Sequence, residues 1–185
     1  MEPHSGGLRP CEGLCRMIET DDLIQPLPGP DSLPAALLDL NNAHAQELSW
    51  LEPARFQQLA DRAFRAWRIG EAEALLLSFD QDADYDSPNF QWFRERLDRF
   101  VYVDRIVVSP RARGQGLARR LYEALFESAR QAAHQRVVCE VNSQPPNPVS
   151  DAFHASLGFV LVGSAQIGED GKTVNYLSRD LTPGL

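Results

Sequence analysis

A short turn, RARGQG at residues 111–116, holds the residues best suited to chemistry, between an apolar stretch and an amphipathic one. The first turn of a helix leaves backbone N–H groups unpaired, and the helix dipole adds partial positive charge there. Glycines allow phosphate oxygens to approach those N–H groups, and arginines supply countercharge. The turn therefore predicts a site for an anion, with a pyrophosphate as the natural guest.

Two familiar phosphate-binding patterns do not fit this turn. A Walker loop needs a lysine directly after its last glycine, but Gly116 is followed by Leu117. A Rossmann fingerprint needs a third glycine, and Arg119 stands at that position. On glycine spacing alone, a plain strand-to-helix turn with solvated arginines is the favoured interpretation, so the context of the turn must decide.

A second polar stretch, residues 80–93, alternates aspartates with other residues and then carries aromatic side chains. Acidic and aromatic groups together suit a cationic amine. An EF-hand calcium loop would need glycine at its sixth position and glutamate at its twelfth, and this stretch has neither. The residues predicted to bind such an amine are Asp84, Tyr85, Asp86 and Trp92. A solvated acidic loop whose aromatic residues cover the core is the alternative.

Hydrophobic periodicity assigns these stretches to an α/β arrangement. Strands are predicted over 35–40, 64–69, 72–79, 99–109 and 136–142, with a final pair around the turn GEDG. Helices are predicted over 52–64, after Pro88, from Leu117 onward, and from Pro148 to Gly158. The runs at 99–109 and 136–142 are typical of central strands buried on both faces. Residues 1–33, rich in Pro and Gly, are predicted to be a flexible N-terminal extension, which leaves 34–185 as the single folded domain.

Composition and charge narrow the function classes. The length of 185 residues suits one domain, and no apolar run approaches the roughly 18 residues that a membrane helix needs. Three scattered cysteines argue against a disulfide framework and fit a reducing cytoplasm, and no strong metal-ligating set is visible. The net charge is -8, yet residues 105–136 carry seven Arg against two Glu, a local charge of +5. A basic patch on an acidic chain favours a small anionic ligand over nucleic acid.

The wider context of the turn points to one family. Arg111-x-x-Gly114-x-Gly116, after the strand end VVSP, resembles the acetyl-CoA signature of the GNAT superfamily of N-acyltransferases. The later segment EVNSQPPNPVSDAFHASLGF is similar to a second family segment, in which a strand ending in Asn precedes A-x-x-F-Y-x-x-x-G-F. The resemblance runs from Ala35 to Leu181. It implies a single-domain GNAT-like fold, with a mixed and mostly antiparallel sheet, a central splayed pair of parallel strands, and flanking helices.

The resemblance also implies acetyl-CoA as the co-substrate, no metal, and a defined set of cofactor contacts. Pyrophosphate contacts are implied for Arg111, Arg113, Gly114, Gln115, Gly116, Leu117 and Ala118. The backbone of Ile106, Val107 and Val108 would pair with the pantetheine arm, and Asn147 and Phe153 would line its channel. Arg119 would serve the 3′-phosphate or stay a solvated helix residue.

Acetyl transfer to an amine needs a neutral amine and a leaving thiolate that can take a proton. In this family the Tyr of F-Y-x-x-x-G-F often gives that proton, but His154 stands at the position here. His154 is therefore a candidate acid, with simple packing at a helix edge as the alternative. Asp104, inside a central strand, is the candidate base, and an ion pair with an arginine is its alternative. Glu140 on the neighbouring strand is a rival base, and deprotonation through water is a third route.

These expectations lead to a cytoplasmic acetyl-CoA-dependent N-acetyltransferase. Its acceptor would be a small cationic amine, an amino acid derivative or a protein amine, and neither nucleic acid nor a membrane is expected as a partner. The first alternative is a catalytically weak acyl-CoA-binding or regulatory module with the same fold. A protein that binds nucleotide phosphates is a lower alternative. Edge strands near the C-terminus would permit a homodimer.

Overall fold

The computed structural model describes residues 23–29, 33–168 and 171–181, and its strands form one seven-stranded sheet. The strands are β1 (Ile24–Pro26), β2 (Arg65–Ile69), β3 (Ala74–Asp80), β4 (Phe100–Val108), β5 (Arg136–Gln144), β6 (Val160–Ile167) and β7 (Lys172–Asp180). The helices are α1 (Ala35–Asn42), α2 (Ala45–Leu48), α3 (Pro53–Arg62), α4 (Pro88–Arg94), α5 (Leu117–Gln131) and α6 (Pro148–Ser156). Across the sheet the order is β1-β2-β3-β4-β5-β7-β6, and β4–β5 is its parallel pair. The predicted mixed, mostly antiparallel sheet is confirmed.

The parallel pair opens into a fork. Phe100, Val101 and Tyr102 of β4 pair with residues 136–138 of β5, and the pairing ends there. Both strands nevertheless continue, β4 to Val108 and β5 to Gln144. The predicted splayed pair is therefore present, and the sheet contains a gap between the carboxyl-terminal halves of its two central strands.

A β-bulge lies at the point where β4 leaves β5. Arg105 pairs with Leu77 of β3 and Val103 pairs with Ser78, so Asp104 is the extra residue of the bulge. A bulge bends its strand and re-aims the side chains next to it. The bulge therefore changes which β4 residues point to each face of the sheet, at a position beside the gap.

Helices cover both faces of the sheet, so each face has its own apolar core. On one face, α5 buries Leu121 and Leu125 against the sheet. On the other face, Leu37 of α1, Phe56 of α3 and Phe90 of α4 form a second cluster. The apolar residues of α5 recur at helical spacing, so the helix buries one stripe and leaves its charged side in solvent. Helices therefore cover both faces of the sheet that contains the fork.

Two elements differ from the sequence-based prediction. Residues 35–40 form part of helix α1, so the strand predicted there is wrong. Ala and Leu favour helices, and Leu37 and Leu40 bury one helical face at a spacing that a six-residue apolar run does not reveal. Strand β1 lies inside the predicted extension, where Ile24–Pro26 pairs with β2 as an edge strand. Residues 1–22 and 30–32 of that extension lie outside the described residues.

Candidate active site

Two glycines with left-handed backbone shape the turn that follows β4. Pro110–Ala112 forms a single 3₁₀ turn, and Gly114 (φ 78°) and Gly116 (φ 74°) then lead into α5. A Cβ at either glycine would meet no other atom of the described chain within 4 Å, so the space above the turn is open. The N–H of Arg120 donates the first bond of the helix to the Gly116 carbonyl, at 3.1 Å. The N–H groups before it are the unpaired donors that suit an anion.

A groove of about 420 Å³ runs from this turn to the fork. Its walls bring together many of the predicted cofactor contacts, namely Ile106, Val107, Val108, Arg113, Ala118, Asn147 and Phe153. Asn147 also caps α6, because its side-chain oxygen accepts a hydrogen bond from the Ser150 N–H at 3.1 Å. The groove joins the basic turn at Arg113 to the fork at Ile106 and His154, an arrangement that suits an anionic group on a flexible arm.

The remaining predicted cofactor residues lie on or beside the turn. Gln115 is exposed on it, and Leu117 is buried under it as the first residue of α5. Arg111 is exposed to solvent. Arg119 instead reaches α6, where its Nη2 donates to Ser156 Oγ at 2.9 Å. Its assignment to a 3′-phosphate stays a prediction.

A second cavity, of about 280 Å³, lies in the gap between β4 and β5. Cys139 and Glu140 both line it, and as neighbours on one strand they point to opposite faces of the sheet. Cys139 belongs to the core under α5, with Tyr122, whereas Asn89 of α4 holds Glu140 on the other face. The cavity therefore passes through the sheet, and it meets the groove at residues that include His154.

Glu140 is a half-buried residue whose carboxylate is partly enclosed by the fold. Its Oε1 accepts a hydrogen bond from Asn89 Nδ2 at 2.9 Å. Its Oε2 is buried and has no hydrogen-bond partner in the described part of the chain. Burial, together with the negative charge of Asp104, raises the pKa of Glu140 from the ordinary 4.5 to about 7, against the lowering effects of the Tyr102 hydroxyl and of Asn89. A carboxyl group that titrates near neutrality and lines a cavity is suited to accept a proton.

Asp104 also lines the cavity, but both of its oxygens are engaged. Oδ2 pairs with Arg105 Nε at 2.5 Å, and Oδ1 accepts from the Tyr85 hydroxyl at 2.5 Å. Arg105, only 4% exposed, additionally donates to Asn41 Oδ1 at 2.7 Å. The ion pair considered as an alternative for Asp104 is therefore present. The role of Asp104 as a base stays a prediction, and the carboxylate oxygen without a hydrogen-bond partner among the described residues belongs to Glu140.

His154 lies on α6, is 4% exposed, and lines both the groove and the cavity. Its Nδ1 is 2.8 Å from the Ser150 carbonyl oxygen, and its Nε2 is 2.8 Å from the Tyr122 hydroxyl. Burial lowers the pKa of His154, against the raising effects of the Ser150 carbonyl and Asp151. The imidazole is therefore neutral at neutral pH and is held at both nitrogens.

The predicted amine-binding residues separate into two groups. Tyr85 lines the cavity. Asp84 and Asp86 are 92% and 86% exposed at their side chains and form surface ion pairs with arginines of α3. Trp92 stacks on the ring of Tyr176 at 4.1 Å between centroids and packs against the β6 backbone. Of the four, the structure brings Tyr85 alone to the cavity wall.

Several cavity residues were not singled out from the sequence, among them Asn89, Tyr122 and Lys172. Tyr122 carried one usable signal, a hydroxyl on the apolar stripe of an amphipathic helix, because buried tyrosines usually find a hydrogen-bond partner. Lys172 is the one lysine of the chain. Neither signal shows which cavity the side chain reaches, since that depends on how distant elements pack.

The described residues hold neither a group of metal ligands nor a membrane-spanning helix. Across residues 23–29, 33–168 and 171–181, no group of three or more His, Cys, Asp or Glu side chains is placed to hold a metal ion. No helix within these ranges combines the length and the apolarity that crossing a bilayer requires.

A phosphate-type turn, a forked sheet and a cavity through the fork define an acyltransferase class of site. Residues 43–159 match the Acetyltransferase (GNAT) family, and the chain belongs to that family. It is 31% identical over 103 residues to the L-amino acid N-acyltransferase MnaT of Escherichia coli (strain K12), a match that covers 56% of this chain. The chain spans about half the length of that curated relative, 54%.

Solved structures share the fold at low sequence identity. The structure of yncA, a putative acetyltransferase from Salmonella typhimurium with its cofactor acetyl-CoA, matches with a TM-score of 0.63 and 19% identity, covering 88% of this chain and 95% of that one. The structure of smu.2055 from Streptococcus mutans UA159 matches with a TM-score of 0.66 and 20% identity, covering 86% and 99%. The crystal structure of the ribosomal-protein-S18-alanine N-acetyltransferase from Escherichia coli matches with a TM-score of 0.60 and 16% identity, covering 87% of this chain and 94% of that one.

Proposed function

We propose that this protein is an acetyl-CoA-dependent N-acetyltransferase in which a primary amine attacks the thioester directly. The observation that carries the proposal is the cavity through the sheet. One end opens into a groove that begins at the glycine turn, and the other end holds Glu140, a carboxylate with a free, buried oxygen. The two substrates would therefore enter from opposite faces and meet in the gap between β4 and β5.

The groove fits an acetyl-CoA molecule in its chemistry. The open space over Gly114 and Gly116, with the unpaired N–H groups of α5 beside it, suits a pyrophosphate. Arg113 adds positive charge at the same end of the groove. Beyond the turn, the exposed edge of β4 from Ile106 to Val108 offers backbone groups to an extended pantetheine arm. Membership of the acetyltransferase family supports this assignment.

Direct attack is favoured over a covalent intermediate by the state of Cys139. Cys139 is the one cysteine among the described residues, and it is 3% exposed. Burial raises the pKa of Cys139 well above its ordinary value. A thiol that stays protonated is a poor nucleophile, so the amine itself would attack and Glu140 would take its proton.

The cavity wall also indicates which amine would be accepted. Lys172 lines the same cavity as Glu140, Glu47 and the ion pair of Asp104 with Arg105, so the cavity offers a cationic group besides its acidic ones. An α-amino acid presents the complementary pair, a carboxylate and an amine. The curated relative from Escherichia coli is named an L-amino acid N-acyltransferase, which supports L-amino acids as the first acceptors to test.

The proposal is tested first by binding and then by turnover. Acetyl-CoA should raise the melting temperature, and Gly116→Val, which places a side chain at a left-handed position over the turn, should abolish that rise. CoA release is then measured with L-amino acids, with their decarboxylated amines and with a peptide amine. Lys172→Met should raise the KM of L-amino acids by about tenfold and leave the decarboxylated amines unchanged, because it removes one charge-assisted hydrogen bond.

Two results would contradict this function. Binding of acetyl-CoA without CoA release for any amine would favour the weak acyl-CoA-binding module. A melting temperature that responds to ATP and not to acetyl-CoA would favour a nucleotide-phosphate-binding protein.

A further inference from the structure

Arg105 connects the bulge of β4 to helix α1 through buried hydrogen bonds. Its Nε pairs with Asp104 Oδ2 at 2.5 Å, and its Nη1 donates to Asn41 Oδ1 at 2.7 Å. Arg105 is 4% exposed and Asn41 is 0% exposed, so solvent competes little for either contact. The planar guanidinium holds its donors at fixed angles, so one conformation of Arg105 makes both contacts. Because Arg105 can only donate, it also fixes which end of the Asn41 amide faces it.

The amide of Asn41 extends this link to the segment that follows α1. Its Nδ2 donates to the Ser49 carbonyl at 3.2 Å and to Asn42 Oδ1 at 2.9 Å. Asn42 in turn binds both backbone groups of Leu51. Its Nδ2 donates to the Leu51 carbonyl at 3.0 Å, and its Oδ1 accepts from the Leu51 N–H at 2.9 Å. Residues 43–50, which we call the shared wall, are therefore fastened at their far end by two consecutive asparagines.

The shared wall borders both substrate sites. His44, Glu47 and Leu48 line the groove that begins at the glycine turn, and Glu47, Leu48 and Ser49 line the cavity in the fork. Ser49 has a φ of 74°, which residues other than glycine rarely adopt unless their surroundings hold them there. The bond from Asn41 to the Ser49 carbonyl opposes relaxation of this backbone. Losing that bond would therefore displace the wall from both sites together.

We propose that Arg105 and Asn41 are positioning residues that hold the shared wall in the conformation that binds acetyl-CoA and the acceptor amine. The inference rests on the proposed function. In this scheme Arg105 acts through Asn41, and Asn41 acts through Ser49. A ligand that binds one conformation has its affinity reduced by the fraction of molecules that occupy that conformation. Loss of either residue should therefore raise the KM of both substrates by a similar factor, while kcat changes little because saturation restores the wall.

Two substitutions test the proposal by kinetics. Arg105→Lys keeps a positive partner for Asp104, but an ammonium is a point charge that cannot reach Asp104 and Asn41 together as the planar guanidinium does. Asn41→Leu keeps the ion pair and removes the contact to Ser49. Each variant should raise both KM values about tenfold and leave kcat within about threefold. The acceptor in these assays is the L-amino acid that gives the fastest CoA release.

Ser128→Ala is the matched control for these variants. Ser128 is 8% exposed on α5, and its Oγ accepts a hydrogen bond from Arg65 Nε at 2.6 Å, so this variant also breaks a contact between a buried polar side chain and an arginine. Neither Ser128 nor Arg65 lines the groove or the cavity, so both KM values should stay within about twofold. Wild-type KM values in both Asn41→Leu and Arg105→Lys, or an equal rise in Ser128→Ala, would overturn the proposal.

A binding measurement tests the shared wall without turnover. Trp50 directly follows Ser49 and is 58% exposed, so fluorotryptophan at this position reports the wall by its fluorine resonance, assigned with Trp50→Phe. In Asn41→Leu the resonance should be displaced in the free protein and should reach the position of CoA-bound wild type when CoA saturates. CoA should bind this variant about tenfold more weakly in isothermal titration calorimetry.

Arg105→Lys should give the same displacement of the Trp50 resonance, so the test does not depend on the folding of Asn41→Leu. A Trp50 resonance that is identical in the wild type and the variants before CoA is added would overturn the proposal. If no amine supports CoA release, the proposed function fails. The Trp50 resonance and the affinity for CoA still decide whether Asn41 and Arg105 hold the wall.

Discussion

Glu140→Gln is the substitution whose effects follow most directly from the structure. The pKa of Glu140 is raised from 4.5 to about 7, chiefly by burial. Each unit of pKa difference between the folded and unfolded states changes the free energy of unfolding by 1.36 kcal/mol. The difference of about 2.5 units therefore corresponds to about 3 kcal/mol.

The sign of this effect depends on pH. Below pH 4.5 both states bind the proton, so Glu140→Gln should change stability little. Between pH 4.5 and 7 the unfolded chain loses the proton while the folded protein keeps it, so the wild type loses stability as pH rises. Above pH 7 the full difference applies. The variant should then be more stable by about 3 kcal/mol, or roughly 6–12 °C in Tm for a chain of this size.

Activity should change in the opposite direction. A base acts only when it is deprotonated, so wild-type kcat/KM should depend on an ionisation near pH 7 that Glu140→Gln lacks. The ratio of wild-type to variant kcat/KM should be about 100 at pH 8.5 and fall about tenfold per unit below pH 7. Ionisation of the amine substrate cancels in this ratio.

The assay combines urea unfolding at pH 4, 6 and 8.5 with CoA release across the same range. Glu71→Gln, an exposed carboxylate in the turn between β2 and β3, is the matched control. A rate ratio that does not vary with pH would remove Glu140 as the base. Stability curves for wild type and variant that stay parallel across pH would refute the raised pKa itself.

Two further predictions concern the buried ion pair of Asp104 and the exposed aspartates Asp84 and Asp86. Arg105→Met should lower the free energy of unfolding by about 3–5 kcal/mol in urea titrations, because it leaves Asp104 buried without its partner. Adding Asp104→Asn should recover part of that loss, and equal losses for the single and double variants would contradict the ion-pair account. The double variant Asp84→Asn, Asp86→Asn should change the KM for the acceptor by less than about twofold. It should change the free energy of unfolding by less than about 1 kcal/mol, because exposed ion pairs contribute little to stability. A raised KM would instead place these two residues in the acceptor site.

The sequence predicted those features whose physics is local. A buried strand, a glycine turn and an amphipathic helix are consecutive in the chain, so this strand–turn–helix unit could be predicted from residues 100–131 alone. Helix α6 likewise begins at a proline and ends before Gly158, as its local signals indicate. The fork between β4 and β5 followed from the family resemblance, and the register shows it directly.

The features that the sequence did not predict depend on tertiary packing. Apolar residues occupy both faces of β4 before Asp104 and after Arg105, so the pattern of β4 contains no sign of the bulge. Alternating aspartates suggested an amine site, but α3 supplies arginines that pair with Asp84 and Asp86 at the surface. Tyr122 and His154 are 32 positions apart in the chain, and the packing of α5 against α6 alone shows that they form a pair.

The bulge, the fork and Glu140 together favour a catalytic over a structural reading of this region. A stable fold has no use for a buried carboxylate with a free oxygen, since its ionisation costs about 3 kcal/mol at neutral pH. Sheet alternation also gives Cys139 and Glu140 opposite directions, so one short segment of β5 borders both faces of the gap. The sheet separates Glu140 from Tyr122, so under the proposed function the proton acceptor works from the face of the gap opposite to α5.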